Sequence, residues 1–172
     1  MKISQEFDAI VGFAREEAMR TGSYSIEADH LFLGILRHGG NPAVEALRAL
    51  GVDTAGCKAE IDALIFHEQG IPYGAEDSIR LGREGGNTVS LAIAEAMADG
   101  AKEAGAIHLL RAVCKQEGSH SSEYLRKRGI SSSSFHGEKP APQKCETEVS
   151  KKNLALLLST INLNINKNTI VS

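Results

Sequence analysis

The chain has 172 residues, a formal net charge of −3 and few aromatic residues, five Phe and three Tyr with no Trp. Acidic and basic residues are interspersed, so the sequence has no basic stripe of the kind that nucleic-acid binding requires. No apolar run approaches the roughly 18 residues of a membrane span, and the N-terminus lacks the apolar core of a signal peptide. We therefore expect a cytoplasmic globular protein, in which abundant Ala and Leu favour helices over strands.

Four helices are predicted in the first part of the chain. The first has apolar residues at helical spacing and stops at Gly22, which suits a left-handed C-cap. The second is the run HLFLGIL, which is apolar all round apart from its histidine, as expected of a helix buried between others. Asn41 and Pro42 begin a third helix, and Asp53 or Thr54 caps a fourth.

The second part of the chain repeats the first at an offset of 78 residues. Residues 3–53 align with residues 81–131 without a gap, and the identical pairs include Glu17/Glu95, Gly22/Gly100, His30/His108 and Gly51/Gly129. Chance similarity rarely keeps register over such a length, so the alignment predicts two copies of one helical unit. The fold class predicted is all-α, with two tandem four-helix repeats.

The repeat sets the predicted domain boundaries: a first repeat over 1–66, a linker over 67–78, a second repeat over 79–131, and a flexible Ser/Pro-containing linker with an Asn-rich tail over 132–172. Because Gly85 and Gly86 weaken the start of the second long helix, we expect it to begin near Asn87 or Thr88. The run SSSSFHGEKPAP begins where a fourth helix is due, so the second repeat is predicted to be short of that helix. In the tail, Leu154–Leu158 suits a helical turn and INLNINKN alternates like a strand.

Three sequence runs carry a resemblance to a known family: AREEAMRTG at Ala14–Gly22, DHLFLGIL at Asp29–Leu36 and ALRALGVD at Ala46–Asp53, with the partners AIAEAMADG, IHLLRAV and EYLRKRGI. Over about residues 1–131 the chain resembles the double Clp N-terminal domain of Clp-family protein-unfolding ATPases, as a stand-alone or truncated chain. The resemblance implies a pseudo-twofold globule that recruits substrates or adaptor proteins to a Clp-type unfoldase or protease. It implies no cofactor.

The resemblance also implies a candidate ligand site. Family members that recognise phosphorylated arginine have, in each repeat, an acid before the histidine of the buried helix and a hydroxyl near the start of the first helix. The first repeat has Asp29 and Ser4 at these places, whereas the second has Ile107 and Gly82. At most one such pocket is therefore expected. The alternative for Asp29 is an acid in a first helical turn, where the helix dipole favours it.

No catalytic or metal site is predicted. The sequence has no GxxxxGK[ST] phosphate loop, so we expect no ATP hydrolysis by this chain alone. His30 and His108 lack neighbouring ligands for a metal, and we expect each to be a buried imidazole that bonds backbone at a helix start. Three cysteines, Cys57, Cys114 and Cys145, form no CxxC pair and are expected to be reduced.

The leading interpretation is a non-catalytic protein-binding module. Arg15, Glu16 and Arg20, with Glu17, give the first helix a charged face that is usually solvated and is a weak candidate for a partner surface. Two alternatives stay open. A regulatory decoy would compete with a full-length ATPase for the same adaptors, and a small hydrolase would use His30 or His108.

Overall fold

The computed structural model describes residues 1–136 and Leu158. The helices are α1 (Gln5–Thr21), α2 (Ala28–His38), α3 (Pro42–Ala49), α4 (Thr54–Ile65), α5 (Arg83–Ala98), α6 (Ala106–Lys115) and α7 (His120–Lys127), with 3-10 helices at Glu76–Ser78 and Ser132–Phe135. Four two-residue strands precede or join them: β1 (Lys2–Ile3), β2 (Ser25–Ile26), β3 (Arg80–Leu81) and β4 (Glu103–Ala104). The predicted all-α fold of two helical repeats is confirmed.

The predicted caps of the first repeat are present. Gly22 ends α1 in the left-handed conformation, with φ at 80°. The side chain of Asn41 accepts a hydrogen bond from the backbone N–H of Val44 at 3.0 Å, and Pro42 is the first residue of α3. Asp53 caps α4 through the N–H of Ala55. These local signals are readable because a helix start needs acceptors for its first N–H groups.

The two repeats pack around a pseudo-twofold axis. Strand β1 pairs in parallel with β4, and β2 pairs in parallel with β3. In register, residue 2 lies opposite residue 103 and residue 25 lies opposite residue 80. The offset of 78 exchanges these two pairs, because it relates 2 to 80 and 25 to 103. Each repeat therefore receives a strand partner from the other, and the starts of α1 and α5 lie against the opposite repeat.

Two expectations about the second repeat have different outcomes. The late start of its long helix was wrong, since α5 begins at Arg83. Gly85 is tolerated there because it packs directly under the backbone carbonyl of Ile26, where a Cβ atom would not fit. Within the described residues, the place of a fourth helix begins with the 3-10 helix Ser132–Phe135, and Phe135 is buried. The expectations for residues 137–172, including the helical turn ending at Leu158 and the strand-like run, lie outside the described residues apart from Leu158 itself.

Small residues allow α1 and α2 to pack closely. A Cβ atom at Gly34 would lie 2.6 Å from the carbonyl oxygen of Ile10 and 3.0 Å from the backbone N of Ala14. Both of these are backbone atoms, so a side chain at position 34 requires the helices to move apart. The equivalent residue of the second repeat is Ala112, which is fully buried. The first helix pair is therefore the one in which glycine is required.

We expect Gly34→Ala to lower the free energy of unfolding by about 1–3 kcal/mol, because overpacking strains a close-packed core. Gly12→Ala is the matched control, since nothing lies within 4 Å of a Cβ atom at that helical position. It should stabilise the protein by about 0.5–1 kcal/mol, as expected when helical Gly is replaced by Ala. Urea unfolding followed by circular dichroism measures both. Equal stability of the two variants would contradict the close approach.

Candidate functional site at the inter-repeat junctions

Two junctions, related by the pseudo-twofold axis, bring together residues of both repeats. The first junction (residues 2–7 and 103–108) joins the start of α1 to the start of α6 through β1 and β4. The second junction (residues 25–30 and 80–85) joins the start of α2 to the start of α5 through β2 and β3. Helix starts carry partial positive charge and N–H groups without helical partners. Both junctions are therefore places where acceptor groups are needed.

At the first junction, Ser4 caps the start of α1. Its hydroxyl accepts a hydrogen bond from the N–H of Phe7 at 3.1 Å, and its own N–H donates to the carbonyl of Ala104 at 2.9 Å. Glu6 extends across the junction, where its carboxylate accepts from the N–H of Ala106 at 3.2 Å. Position 105 is a glycine, so no side chain enters the junction from it.

At the second junction, Glu27 caps the start of α5. Gly82 replaces Ser4 at this junction and supplies no hydroxyl, and the N–H of Gly85 donates instead to Oε2 of Glu27 at 2.9 Å. A Cβ atom at Gly82 would fall within the volume of that carboxylate. The two junctions are therefore capped by different groups at different positions. The first has a hydroxyl at position 4 and glycine at position 105, and the second has glycine at position 82 and a carboxylate at position 27.

Two further carboxylates make the second junction acidic. Glu84 accepts a hydrogen bond from the backbone of Ala28, and burial together with the nearby charges of Asp29 and Glu27 raises its pKa above the ordinary value. Asp29 lies on the other side, where Oδ1 accepts from the N–H of Ser121 at 2.7 Å and from its hydroxyl at 2.5 Å. Its Oδ2 accepts from the N–H of His120 at 3.2 Å. Asp29 therefore caps α7.

The candidate site residues Ser4 and Asp29 contact different segments of the second repeat. Ser4 bonds to Ala104 at the first junction, and Asp29 bonds to the start of α7 beside the second. Asp29 is also nearly buried, with 7% of its surface exposed. Sequence reasoning missed Glu27, since its partner Gly85 lies 58 residues away and no local pattern links them.

The two histidines are structural, as predicted. Nδ1 of His30 accepts from the N–H of Glu27 at 3.0 Å, and Nε2 lies 3.1 Å from Oγ1 of Thr21. Burial lowers the pKa of His30 to about 4. His108 likewise accepts from the N–H of Gly105 at 2.9 Å, and burial lowers its pKa too. Because both ring nitrogens of His30 are used within the fold, it has none available as a general base.

Other chemistry is not assembled in the described part of the chain. Within residues 1–136, no group of His, Cys, Asp or Glu side chains is arranged to hold a metal ion. Burial raises the pKa of Cys57 and of Cys114 to about 12, so neither is a ready nucleophile. No helix in this region has both the length and the apolar content to cross a bilayer.

Comparison with known proteins agrees with this geometry. Residues 2–128 match the family model of the Clp repeat (R) N-terminal domain. The chain belongs to the Clp N-terminal repeat family. It is 25% identical over 130 residues to the negative regulator of genetic competence ClpC/MecB of Bacillus subtilis, and 25% identical over 130 residues to the chaperone protein ClpB of Oceanobacillus iheyensis. These matches cover 76% of the chain but only 16% of each relative.

In this Clp N-terminal repeat domain, a buried glutamate stabilises each repeat. Glu17 is 1% exposed and bonds Nη2 of Arg20 at 2.5 Å and Nη1 of Arg37 at 3.1 Å. Burial raises its pKa, but the hydrogen bonds and charges of Arg20, Lys58 and Arg37 outweigh burial and lower the pKa below the ordinary value. Its equivalent, Glu95, pairs with Lys115. The expectation that Glu17 lies on a solvated face was wrong, because its carboxylate is buried among the side chains of Arg20, Arg37 and Lys58.

The predicted partner residues lie in different environments. The side chain of Arg15 is 13% exposed and donates to the carbonyl of Glu76 at 2.6 Å, so it supports the linker. Arg20 is 40% exposed and bridges Glu17 to Asp62 on α4. Glu16 is half-exposed and pairs with Arg37. Glu16 and Arg20 are therefore the members of this set that reach the surface.

The buried histidines predict a pH-dependent stability. Since the pKa of His30 falls from an ordinary 6.5 to about 4 on folding, the unfolded chain binds more protons between these values. The free energy of unfolding should therefore fall as pH drops from about 6.5 to about 4, with His30 contributing on the order of 3 kcal/mol. His108 acts in the same direction.

Urea unfolding of the native chain and of His30→Gln at several pH values measures this contribution. The variant should be less stable at pH 7 and should lose less stability on acidification. The same slope in the native chain and in His30→Gln would show that His30 is not the group that titrates.

Proposed function

We propose that this chain is a non-catalytic protein-binding module that recruits substrates or adaptor proteins to a Clp-type ATP-dependent unfoldase or protease. The observation that carries the proposal is the match of residues 2–128 to the Clp N-terminal repeat domain, a non-catalytic domain of Clp ATPases. Two relatives in this region are named as a ClpC/MecB protein and a ClpB chaperone. The chain spans only 16% of their lengths, so activities of the whole relatives are carried over as proposals alone.

The burial pattern supports binding rather than chemistry. In the part of the chain that the structure describes, the buried ionisable side chains serve the fold: Asp29 caps α7, Glu17 pairs with arginines and His30 bonds backbone. Large apolar side chains are exposed at the end of α4 and in the following linker, at Leu64, Phe66 and Tyr73. Such side chains mark a contact surface when they form a contiguous apolar patch. The ion pair of Arg20 on α1 with Asp62 on α4 involves the same helix α4.

A complete degradation assay, with a Clp ATPase, its protease and an adaptor-dependent substrate, tests the proposal. Purified chain should change the rate of substrate loss: stimulation indicates delivery, and inhibition indicates the decoy that competes for adaptors. Glu16→Lys should weaken either effect, because Glu16 is exposed beside Arg37. Glu45→Lys is the matched control, since Glu45 is exposed on α3 and makes the same charge change elsewhere. If a saturating concentration of the chain left the rate of substrate loss unchanged, both the delivery and the decoy function would be overturned.

A pocket for phosphorylated arginine, with Ser4 and Asp29 as its residues, stays a prediction. A ligand guanidinium at Asp29 would have to compete with the hydrogen bonds that this carboxylate accepts from Ser121. Calorimetric titration of free phosphoarginine into the native chain, Ser4→Ala and Asp29→Asn tests it. The pocket predicts binding that both substitutions weaken by about tenfold or more, as loss of a charge-assisted hydrogen bond does. Absence of binding to the native chain would contradict the pocket.

A further inference from the structure

We propose that the carboxylate of Glu27 is a built-in anion that closes the start of α5 to phosphate-bearing ligands. A helix start attracts anions because its N–H groups point outward and its dipole end is positive. At the start of α5 that place is already taken by a side chain of the opposite repeat. The proposal concerns the second junction alone and holds whether or not the chain recruits proteins to an unfoldase.

The first line of argument is the fit of Glu27 into the second junction. Its Oε2 lies 2.9 Å from the N of Gly85, which is a charge-assisted hydrogen bond to the first turn of α5. Its Oε1 occupies the space that a Cβ atom at Gly82 would need. Gly82 and Gly85 therefore form a space that fits a carboxylate, and Glu27 fills it.

The second line of argument is the comparison with the first junction, which serves as an internal reference. At the place of Glu27 the first junction has Gly105, and at the place of Asp29 it has Ile107. The start of α1 there is capped by the neutral hydroxyl of Ser4. The carboxylate is thus specific to one junction. At the second junction this carboxylate serves the N–H of Gly85, whose equivalent at the first junction, Phe7, is served by the Ser4 hydroxyl.

The third line of argument is charge. The charges of Asp29 and Glu27 both act on the carboxyl of Glu84. An external phosphate at the start of α5 would have to displace the carboxylate of Glu27 and then face all three carboxylates. At the first junction, Glu6 is the one carboxylate that bonds the opposite helix start within the described residues. The start of α5 is therefore closed to phosphate both by its contact with Glu27 and by charge repulsion from the carboxylates.

Nitrogen-15 NMR with inorganic phosphate as the probe tests the proposal, since the amide of Gly85 reports directly on the start of α5. Titrations use chloride at matched ionic strength as the reference. In the native chain the Gly85 amide should not shift with phosphate beyond the chloride reference. In Glu27→Gly, which installs the residue found at position 105, the same amide should shift saturably, with at least about tenfold tighter apparent binding.

Glu27→Gln is the matched control, because its amide oxygen can keep the hydrogen bond to Gly85 while the charge is removed. In this variant the Gly85 amide should stay hydrogen-bonded to residue 27, and its chemical shift should change little with phosphate. A saturable, phosphate-specific shift of Gly85 in the native chain would overturn the proposal, and this arm stands even if Glu27→Gly does not fold. A folded Glu27→Gly chain whose Gly85 amide ignores phosphate would overturn it as well.

Discussion

The structure depends on the fact that helices of one repeat begin against groups supplied by the other. The N–H groups at the start of a helix lack helical partners and are costly to bury unpaired. Here α5 is capped by Glu27, α6 receives Glu6 and α7 receives Asp29, each across the boundary between the repeats. In the other direction, Glu84 of the second repeat accepts a hydrogen bond from the backbone of Ala28 at the start of α2. The two therefore form one domain rather than two independent modules.

Close packing within each repeat and bonding between repeats use different residue types. Inside the first repeat, Gly34 lets α1 and α2 approach to backbone contact. The buried Glu17 bonds Arg37 of α2, and its partner Arg20 bonds Asp62 of α4. Between repeats, short side chains and carboxylates bond to backbone at the two junctions. Because these tasks are separated, residues can change at a junction while the helical core of each repeat is preserved.

The two junctions have corresponding backbones and different caps. Their backbones are related by the pseudo-twofold axis, as the register of the strand pairs shows. Their caps are not related, since a hydroxyl serves Phe7 and a carboxylate from the opposite repeat serves Gly85. A binding module with two equivalent halves would offer two equivalent surfaces. In this domain the two differ chemically: Glu27 caps a helix start at the second junction, and the first has the Ser4 hydroxyl with Glu6.

The sequence by itself determined the fold, the repeat and the local caps. Helical periodicity, the offset of 78 and the cap residues Asn41 and Asp53 act over a few residues or over a direct copy, so they can be read in one dimension. Only the tertiary structure decided which side chain serves which helix start. Gly85 was expected to delay the start of α5, but it packs against Ile26 and its N–H bonds Glu27. Asp29 was expected either to bind a ligand or to lie in the first turn of its own helix, and the structure also places it at the start of α7. These contacts join residues far apart in the chain, so no local sequence pattern predicts them.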